Sequence, residues 1–376
     1  MKFLHLSDLH LGKRLCGVSL LEDQRHILDQ ILTIAGQVDA VLISGDVYDK
    51  PVPPGEAVTL FDSFLTQLTR RKKEVFLIPG NHDSAQRLAF GSAMLADSGV
   101  HMAPLFDGAL TRVRLKDRWG DLSVWLMPFL KAAHVRPFFP DEELSDAQEA
   151  AALLLDRTEV DSRERNVLLA HQFVAGARQC QSEEVSVGGL DQVSASLFDT
   201  FDYVALGHLH TPQSVDRPTV CYCGSPLKYS VSEAGQEKSV LLVTLEEKGK
   251  VSVEAIPLIP KRDLRILRGS YDRLTYREFY SELDLDCYYH ITLTDEEDIP
   301  QAMARLQTIY PNLLSIDYDN RRTRGQLDGD LIRDQEETDP LKLLAAFYLQ
   351  RNGQEMTGSQ LELASRLMGQ IEEEEG

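Results

Sequence analysis

Eight residues able to share one piece of chemistry stand just past apolar runs of this chain. Asp8 and His10 follow FLHLS, Asp46 follows AVLISG, and Asn81 and His82 follow VFLIPG. His171 follows NVLLA, and His208 and His210 follow YVALG. Imidazoles, carboxylates and an amide carbonyl without a thiolate disfavour a structural zinc site. They suit borderline first-row divalent ions such as manganese, iron or zinc in a catalytic site. The set is too large for one ion, but two ions share it if one carboxylate bridges. Asp46 is the natural bridge, because Gly45 at a strand end lets the backbone approach closely. Asp8 with His10, and His208 with His210, are spaced to point the same way from extended segments. Two cations roughly 3.5–4 Å apart clamp an in-line displacement at phosphorus and activate a water near neutral pH. Asn81 would offer a neutral carbonyl oxygen to one ion, and His82, next in line, would face the substrate. Asp83 reads as a brace of its own turn. Asp49 reads either as a similar brace or as plain loop. A lone histidine at a strand end is more often a hydrogen-bonded structural residue, and His5, His26, His101, His134 and His290 are read that way. The metal reading rests on five strand-end motifs occurring together.

Holding such a set requires strands that end side by side. Strand-like runs are expected at Lys2–Ser7, Ala40–Ser44, Val75–Ile78, Val124–Met127, Val167–Ala170 and Tyr203–Leu206. Helical patterns lie between them at about Leu20–Ala35, Gly55–Arg71, Ala85–Ala96 and Asp146–Thr158. This is the β-α-β rhythm of an α/β fold, in which ligands bind beyond the carboxyl ends of the strands. A β-rich stretch follows, with strands at Thr219–Cys223, Ser239–Leu245 and Val251–Pro257. Past Pro260 the composition changes. Residues 262–335 carry a smaller α/β pattern: CYYHITL as a strand, a helix near Pro300–Tyr310, LLSIDY as another strand, and a basic break at DNRRTRGQ. The last part reads as two helices. Asp339-Pro340 caps the first, which carries Leu341, Leu344, Ala345 and Tyr348 on one stripe. Thr357 and Gln360 have capping-box spacing for the second, which carries Leu361, Ala364, Leu367, Met368 and Ile371.

The totals bound the function. At 376 residues, 43% hydrophobic and 26% charged, the chain has the composition of a soluble globular protein. No apolar run approaches a membrane span and no signal-peptide pattern opens the chain, so no membrane association and a cytoplasmic location are expected. Five scattered cysteines do not make a disulfide framework, and Cys221 and Cys223 read as core thiols of one strand. The formal net charge of −20 has the wrong sign for a nucleic-acid binder. Bound cations, a local basic patch or a partner would have to supply the missing positive charge.

The order Asp8-x-His10, Gly45-Asp46, Gly80-Asn81-His82-Asp83, His171, Gly207-His208-x-His210 resembles the calcineurin-like metallophosphoesterase superfamily. The stretches FLHLSDLHLGK, LLEDQRHILDQIL, ISGDVYDKPVPPGEAV, IPGNHDSAQRL, YVALGHLHTPQ and CGSPLKYSVSEAGQEKSV are similar to the nucleases of double-strand-break repair within it. The likeness runs from Met1 to about Pro260 and more weakly beyond. It implies an α/β fold: a two-sheet sandwich flanked by helices, with a small α/β capping domain and C-terminal helices. The implied division is a nuclease domain at 1–261, a DNA-positioning cap at 262–335 and partner-binding helices at 336–376. One ion would take Asp8, His10, Asp46 and His210, and the other Asp46, Asn81, His171 and His208. His82 would protonate the leaving sugar oxygen or stabilise its charge. The usual ion of the family is manganese. The implied activity is two-metal-dependent 3′→5′ exonuclease and structure-selective endonuclease cleavage of double-stranded and hairpin DNA in repair, recombination and replication. Arg321, Arg322 and Arg324 of the cap are candidates for phosphate contact. The C-terminal helices would dock on the coiled-coil base of an ATPase partner, in a heterotetramer with a nuclease dimer. The dimer face would contain Phe61, Phe64, Leu65, Leu88 and Phe90. The alternative is a hydrolase of the same superfamily that acts on phosphoproteins or small phosphoesters. A non-enzymatic scaffold would be expected to lack ligands, and this chain has the full set.

Overall fold

The computed structural model of the protein describes residues 1–180, 183, 192–321, 323, 341, 344–345, 348–349, 352 and 354–375; the side chains of 362 and 368–375 are not described. The chain divides into two compact units, Met1–Asp263 and Leu264–Gly376.

In the first unit the apolar runs become strands covered on both faces, as near-continuous hydrophobic strands must be. Setting aside two-residue strands and single-turn helices, they are β1 (Lys2–Leu6), β2 (Ala40–Ser44), β3 (Glu74–Ile78), β4 (Val100–Met102), β5 (Thr111–Asp117) and β6 (Gly120–Met127). Then come β7 (Arg165–His171), β8 (Tyr203–Gly207), β9 (Gln213–Val215), β10 (Arg217–Tyr222), β11 (Ser239–Leu245) and β12 (Val251–Pro257). They form two six-stranded sheets, in the orders β12-β11-β1-β2-β3-β4 and β9-β10-β8-β7-β6-β5. β1 through β4 run parallel, as do β6, β7, β8 and β10, while the hairpins β11–β12 and β5–β6 close the sheets antiparallel.

One core lies between the sheets, where Phe3, Leu42, Phe76 and Val243 meet Val124, Leu169, Tyr203 and Ala205. A second lies outside the second sheet, where Leu168, Val204 and Tyr222 pack with Ala150, Ala151 and Leu154 of α3 (Ala147–Arg157). The outer face of the first sheet is covered by α1 (Leu21–Ile34) and α2 (Gly55–Arg70). α2 buries Ala57, Leu60, Phe61, Phe64 and Leu68, the spacing of one helical face. Asp146 starts α3 by accepting a hydrogen bond from the Glu149 amide at 2.8 Å. The two-sheet sandwich flanked by helices is therefore present.

Some elements differ from the sequence expectation. β5 reads TRVRLKD, and its charges hide a strand. Val113 and Leu115 turn toward the inter-sheet core while the basic residues alternate outward, as at a sheet edge. The helix expected at Ala85–Ala96 is two short pieces, Ala85–Leu88 and Ser92–Ala96.

The second unit holds a three-stranded parallel sheet of β13 (Leu264–Gly269), β14 (Tyr288–Leu293) and β15 (Leu313–Tyr318). Its core gathers Leu274, Tyr289, Ile291 and Leu313 with Leu306 of α4 (Ala302–Gln307). β13, LRILRG, is a further charged strand that the sequence reading missed. The capping pair expected at 339–340 lies outside the described residues. α5 (Gly358–Glu375) begins at the expected Thr357, whose amide donates to Gln360 Oε1 at 2.8 Å. Among the described residues no helix is long and apolar enough to cross a membrane.

Candidate metal centre

The parallel order brings the chemistry to one place. β1, β2 and β3 are neighbours in the first sheet, so Asp8 and His10, Asp46, and Asn81 and His82 leave from one edge. β7 and β8 are neighbours in the second sheet, with His171 in register with Gly207. His208 and His210 follow directly. The backbone is bent hard to aim these groups. Asp8, His10, Asp46 and His208 have φ of +53°, +42°, +50° and +102°, unusual for residues with a Cβ. Such strain persists where surrounding structure overdetermines it, typically at functional sites. Two glycines are required by close approach. At Gly45, with φ +89°, a Cβ would lie 2.3 Å from His171 Nδ1, and at Gly80 one would lie 2.1 Å from Asp46 Oδ1.

The ligating atoms fall into two groups that meet on Asp46. His10 Nε2 lies 3.1 Å from His210 Nε2, and the donor atoms of Asp8, His10 and His210 lie within 4.8 Å of one another. Asn81 Oδ1 lies 3.0 Å from His171 Nε2 and 3.1 Å from His208 Nδ1. Asp46 Oδ2 is 3.6 Å from His10 Nε2 and 3.4 Å from His171 Nε2. Asp8 Oδ2 is buried with no hydrogen-bond partner among the described residues. A buried carboxylate oxygen without a partner is costly unless a cation completes it. The orphaned oxygen and the converging lone pairs fit a pair of divalent ions.

Neighbouring groups hold these side chains in place. His171 Nδ1–H donates to the Ser44 carbonyl at 2.8 Å, so Nε2 is the nitrogen that faces the centre and carries the lone pair when the ring is neutral. Asp8 Oδ1 accepts from the His208 amide at 2.9 Å, and Asp46 Oδ1 from the His82 amide at 2.9 Å. Asp83 accepts from the amides of Val47, Tyr48 and Gly80, each at 3.0 Å, and so ties the Asp46 loop to the Asn81 loop. Asp49 takes the Lys13 ammonium at 2.8 Å and lies 3.7 Å from His10 Nδ1. His82 is half-buried; its Nδ1 lies 3.2 Å from the Asp49 carbonyl and its ring centroid 4.9 Å from that of His10.

Several supports were not legible beforehand. Buried Gln24 donates to the His10 carbonyl at 2.7 Å. Glu233, 0% exposed, lies 3.5 Å from His210 Nδ1 and 2.6 Å from Lys238 Nζ, which in turn donates to the His210 carbonyl. Both belong to the stretch CGSPLKYSVSEAGQEKSV, where ordinary charge patterning disguised them.

The electrostatics suit cations. Burial pushes the Asp8 carboxyl up to about 6. Burial alone would also raise Asp46, but the facing His171 imidazole outweighs it and holds Asp46 well below the carboxylate range. Burial would lower His171, and Asp46 instead raises it to about 9. His10 and His208 are pushed down by burial, His208 to about 3. Divalent ions favour deprotonated Asp8 and neutral His171, so loading them releases protons.

The remaining candidates fare differently. Phe61, Phe64 and Leu88 are 3%, 1% and 8% exposed; the first two lie on the face that α2 buries, and Leu88 ends the short helix Ala85–Leu88. Leu65 is half-buried, and only Phe90, at 86% exposure, stands fully out. The dimer face expected from the resemblance stays a proposal, with Phe61, Phe64 and Leu88 buried within the single chain. Arg321 is exposed and its amide donates to Glu296, while Arg322 and Arg324 lie outside the described residues.

Comparison with known proteins identifies the family of the chain. The family described as Calcineurin-like phosphoesterase matches residues 1–212. The family described as Type 5 capsule protein repressor C-terminal domain matches residues 260–352. The chain is 30% identical over 379 residues to SbcD, a component of the SbcCD nuclease, of Staphylococcus epidermidis, covering 94% of this chain and 100% of that protein.

Proposed function

This chain belongs to the calcineurin-like phosphoesterase family, in its SbcD branch, and from that premise we infer that it is a metal-dependent nuclease acting on DNA phosphodiesters. The observation that carries the reading is the position of Asp46 Oδ2, 3.6 Å and 3.4 Å from imidazoles of the two ligand groups. Asp8, His10 and His210 would hold one ion with Asp46. Asn81, His171 and His208 would hold the other. When bound, the ions supply Lewis acidity toward water and phosphate. The chain's own residues do the rest. Ser44 fixes the His171 tautomer, and Asp83 and Glu233 fix the ligands' positions. His82 is oriented by the Asp49 carbonyl and delivers a proton to the departing sugar oxygen as general acid. Manganese is the ion we propose.

The finer assignments rest on the family resemblance of the sequence and on this chain's surface. Cleavage of duplex and hairpin DNA, 3′→5′ polarity and a heterotetramer of a nuclease dimer with an SbcC-type ATPase are the proposed setting, in the cytoplasm. Leu363 and Leu367 of α5 are 46% and 49% exposed, which suits docking on a partner helix. The net charge of −20 would be offset locally by the two cations, and a partner would have to supply any further basic surface.

The test offers hairpin DNA, duplex DNA and a chromogenic phosphomonoester across manganese, magnesium, iron and zinc, with and without the ATPase partner. Cleavage of DNA that depends on a divalent ion supports the reading. Hydrolysis of the monoester with no DNA cut would favour the phosphoprotein or small-phosphoester alternative.

A further inference from the structure

A cleft of about 1230 Å³ opens directly beside the metal centre, with Asn81 and His208 forming part of its wall. This exceeds the roughly 300–1,000 Å³ of common small-molecule pockets. Phe106, Phe129 and Phe138 also line it, and Lys131 stands at its wall. The Phe129 ring lies at 24° to the His208 ring, with centroids 6.3 Å apart, so an aromatic ring stands next to the ligand imidazole at the cleft wall. Phe106 and Phe138 meet edge to face at 5.2 Å, and Phe138 remains 43% exposed. The Lys131 ammonium lies 5.8 Å from the Phe129 ring centre. The metal ligands and the cleft share Asn81 and His208, so the cleft's occupant is whatever is attached to the phosphate under attack.

The geometry points to this cleft as the seat of an unstacked nucleobase of the substrate strand, held on the Phe129 and Phe138 rings while Lys131 meets a neighbouring phosphate. The inference rests on the nuclease reading and deepens it: the nucleotide beside the scissile bond must leave its helix before cleavage. Aromatic side chains take bases of any sequence because every base has a π-face, and a cation nearby holds the backbone. A base still paired and stacked in a duplex cannot present its face this way. Frayed ends, loops and single strands should therefore be the preferred sites.

The test uses the full chain with a single-stranded oligonucleotide bearing terminal 2-aminopurine, whose fluorescence falls when it stacks. Binding is read with calcium in place of manganese. The wild type is expected to quench saturably, and Phe129→Leu and Phe138→Ala to need about tenfold more protein or more for half-quenching. An oligonucleotide with an abasic residue in place of the terminal base should compete about tenfold less well. Exposed Phe138 tolerates truncation, and leucine keeps the packing volume at 129, so a folding defect does not obscure the outcome. No quenching by the wild type, or the same half-quenching in both variants, would overturn the proposal. Turnover of the same oligonucleotide with manganese is scored separately. Quenching without cleavage would count against the nuclease reading and leave the cleft standing, and cleavage without quenching would do the reverse.

Discussion

Replacing Asp83 by asparagine should loosen the centre without touching a ligand. Its carboxylate takes three backbone amides: Val47 and Gly80 on Oδ2, and Tyr48 on Oδ1, all at 3.0 Å. Asparagine can keep the pair on its carbonyl oxygen, but its NH2 then faces the Tyr48 N–H. One amide is left unsatisfied, at about 1–3 kcal/mol. Asp83 is half-buried, so water relieves part of this and the lower end is expected. Burial, then the Asp46 charge, already pushes the Asp83 carboxyl up to about 6. Neutral asparagine therefore also removes repulsion near pH 8, and the metal-free protein should lose only ~1 kcal/mol. The effect on metal is larger, because the Asp46 and Asn81 loops are no longer pinned together. Loss of such an outer partner typically costs 10–100-fold in affinity. Calorimetric titration of manganese into Asp83→Asn and wild type, paired with guanidinium unfolding of both metal-free forms, measures the two effects. Wild-type affinity in the variant would refute the claim that Asp83 holds the two loops in register.

Three further outcomes follow from the structure. His82→Ala should bind metal normally and lose roughly 10²–10⁴-fold in kcat, and normal turnover on DNA would remove its acid role. Glu233→Gln strands the buried Lys238 ammonium, so unfolding should become easier by about 3–5 kcal/mol. Glu233→Gln combined with Lys238→Met should recover much of that, and a double variant as unstable as the single one would contradict the pairing. His5 is buried against Tyr203, and burial lowers its pKa to about 3, below the ordinary 6.5. The fold refuses a proton that the unfolded chain accepts, so this contribution is complete above pH 6.5 and is lost as pH falls toward 3. By pH 5 the loss is about 2 kcal/mol. Denaturant midpoints of metal-free wild type and His5→Asn between pH 7.5 and 5 should therefore differ in slope, and parallel slopes would rule this out.

What could be read from sequence was decided by how each residue's neighbours disguise or display it. Asp8, Asp46, Asn81, His171 and His208 stand just past largely apolar runs, where a polar residue has little packing reason to be, and the parallel sheets bring them together. β5 went unseen because its arginines and lysine alternate outward at a sheet edge. Glu233 and Lys238 sit in a polar stretch that resembles a solvated loop until the fold closes over them. Phe61 looked available for a partner, yet side-chain direction depends on which face of α2 meets the sheet, and spacing alone does not say. Phe129 was not singled out because an aromatic after a strand is usually core, and only the cleft beside it reveals its exposed face.

The central claim is that two ions sit astride one shared carboxylate. The most direct measurement is the manganese stoichiometry of purified wild type and Asp46→Ala by elemental analysis, with anomalous diffraction locating the ions. The account predicts two ions in the wild type, joined through Asp46, and loss of both from Asp46→Ala together with DNA cleavage. Two ions retained in Asp46→Ala, or ions found away from Asp8 and His171, would contradict it.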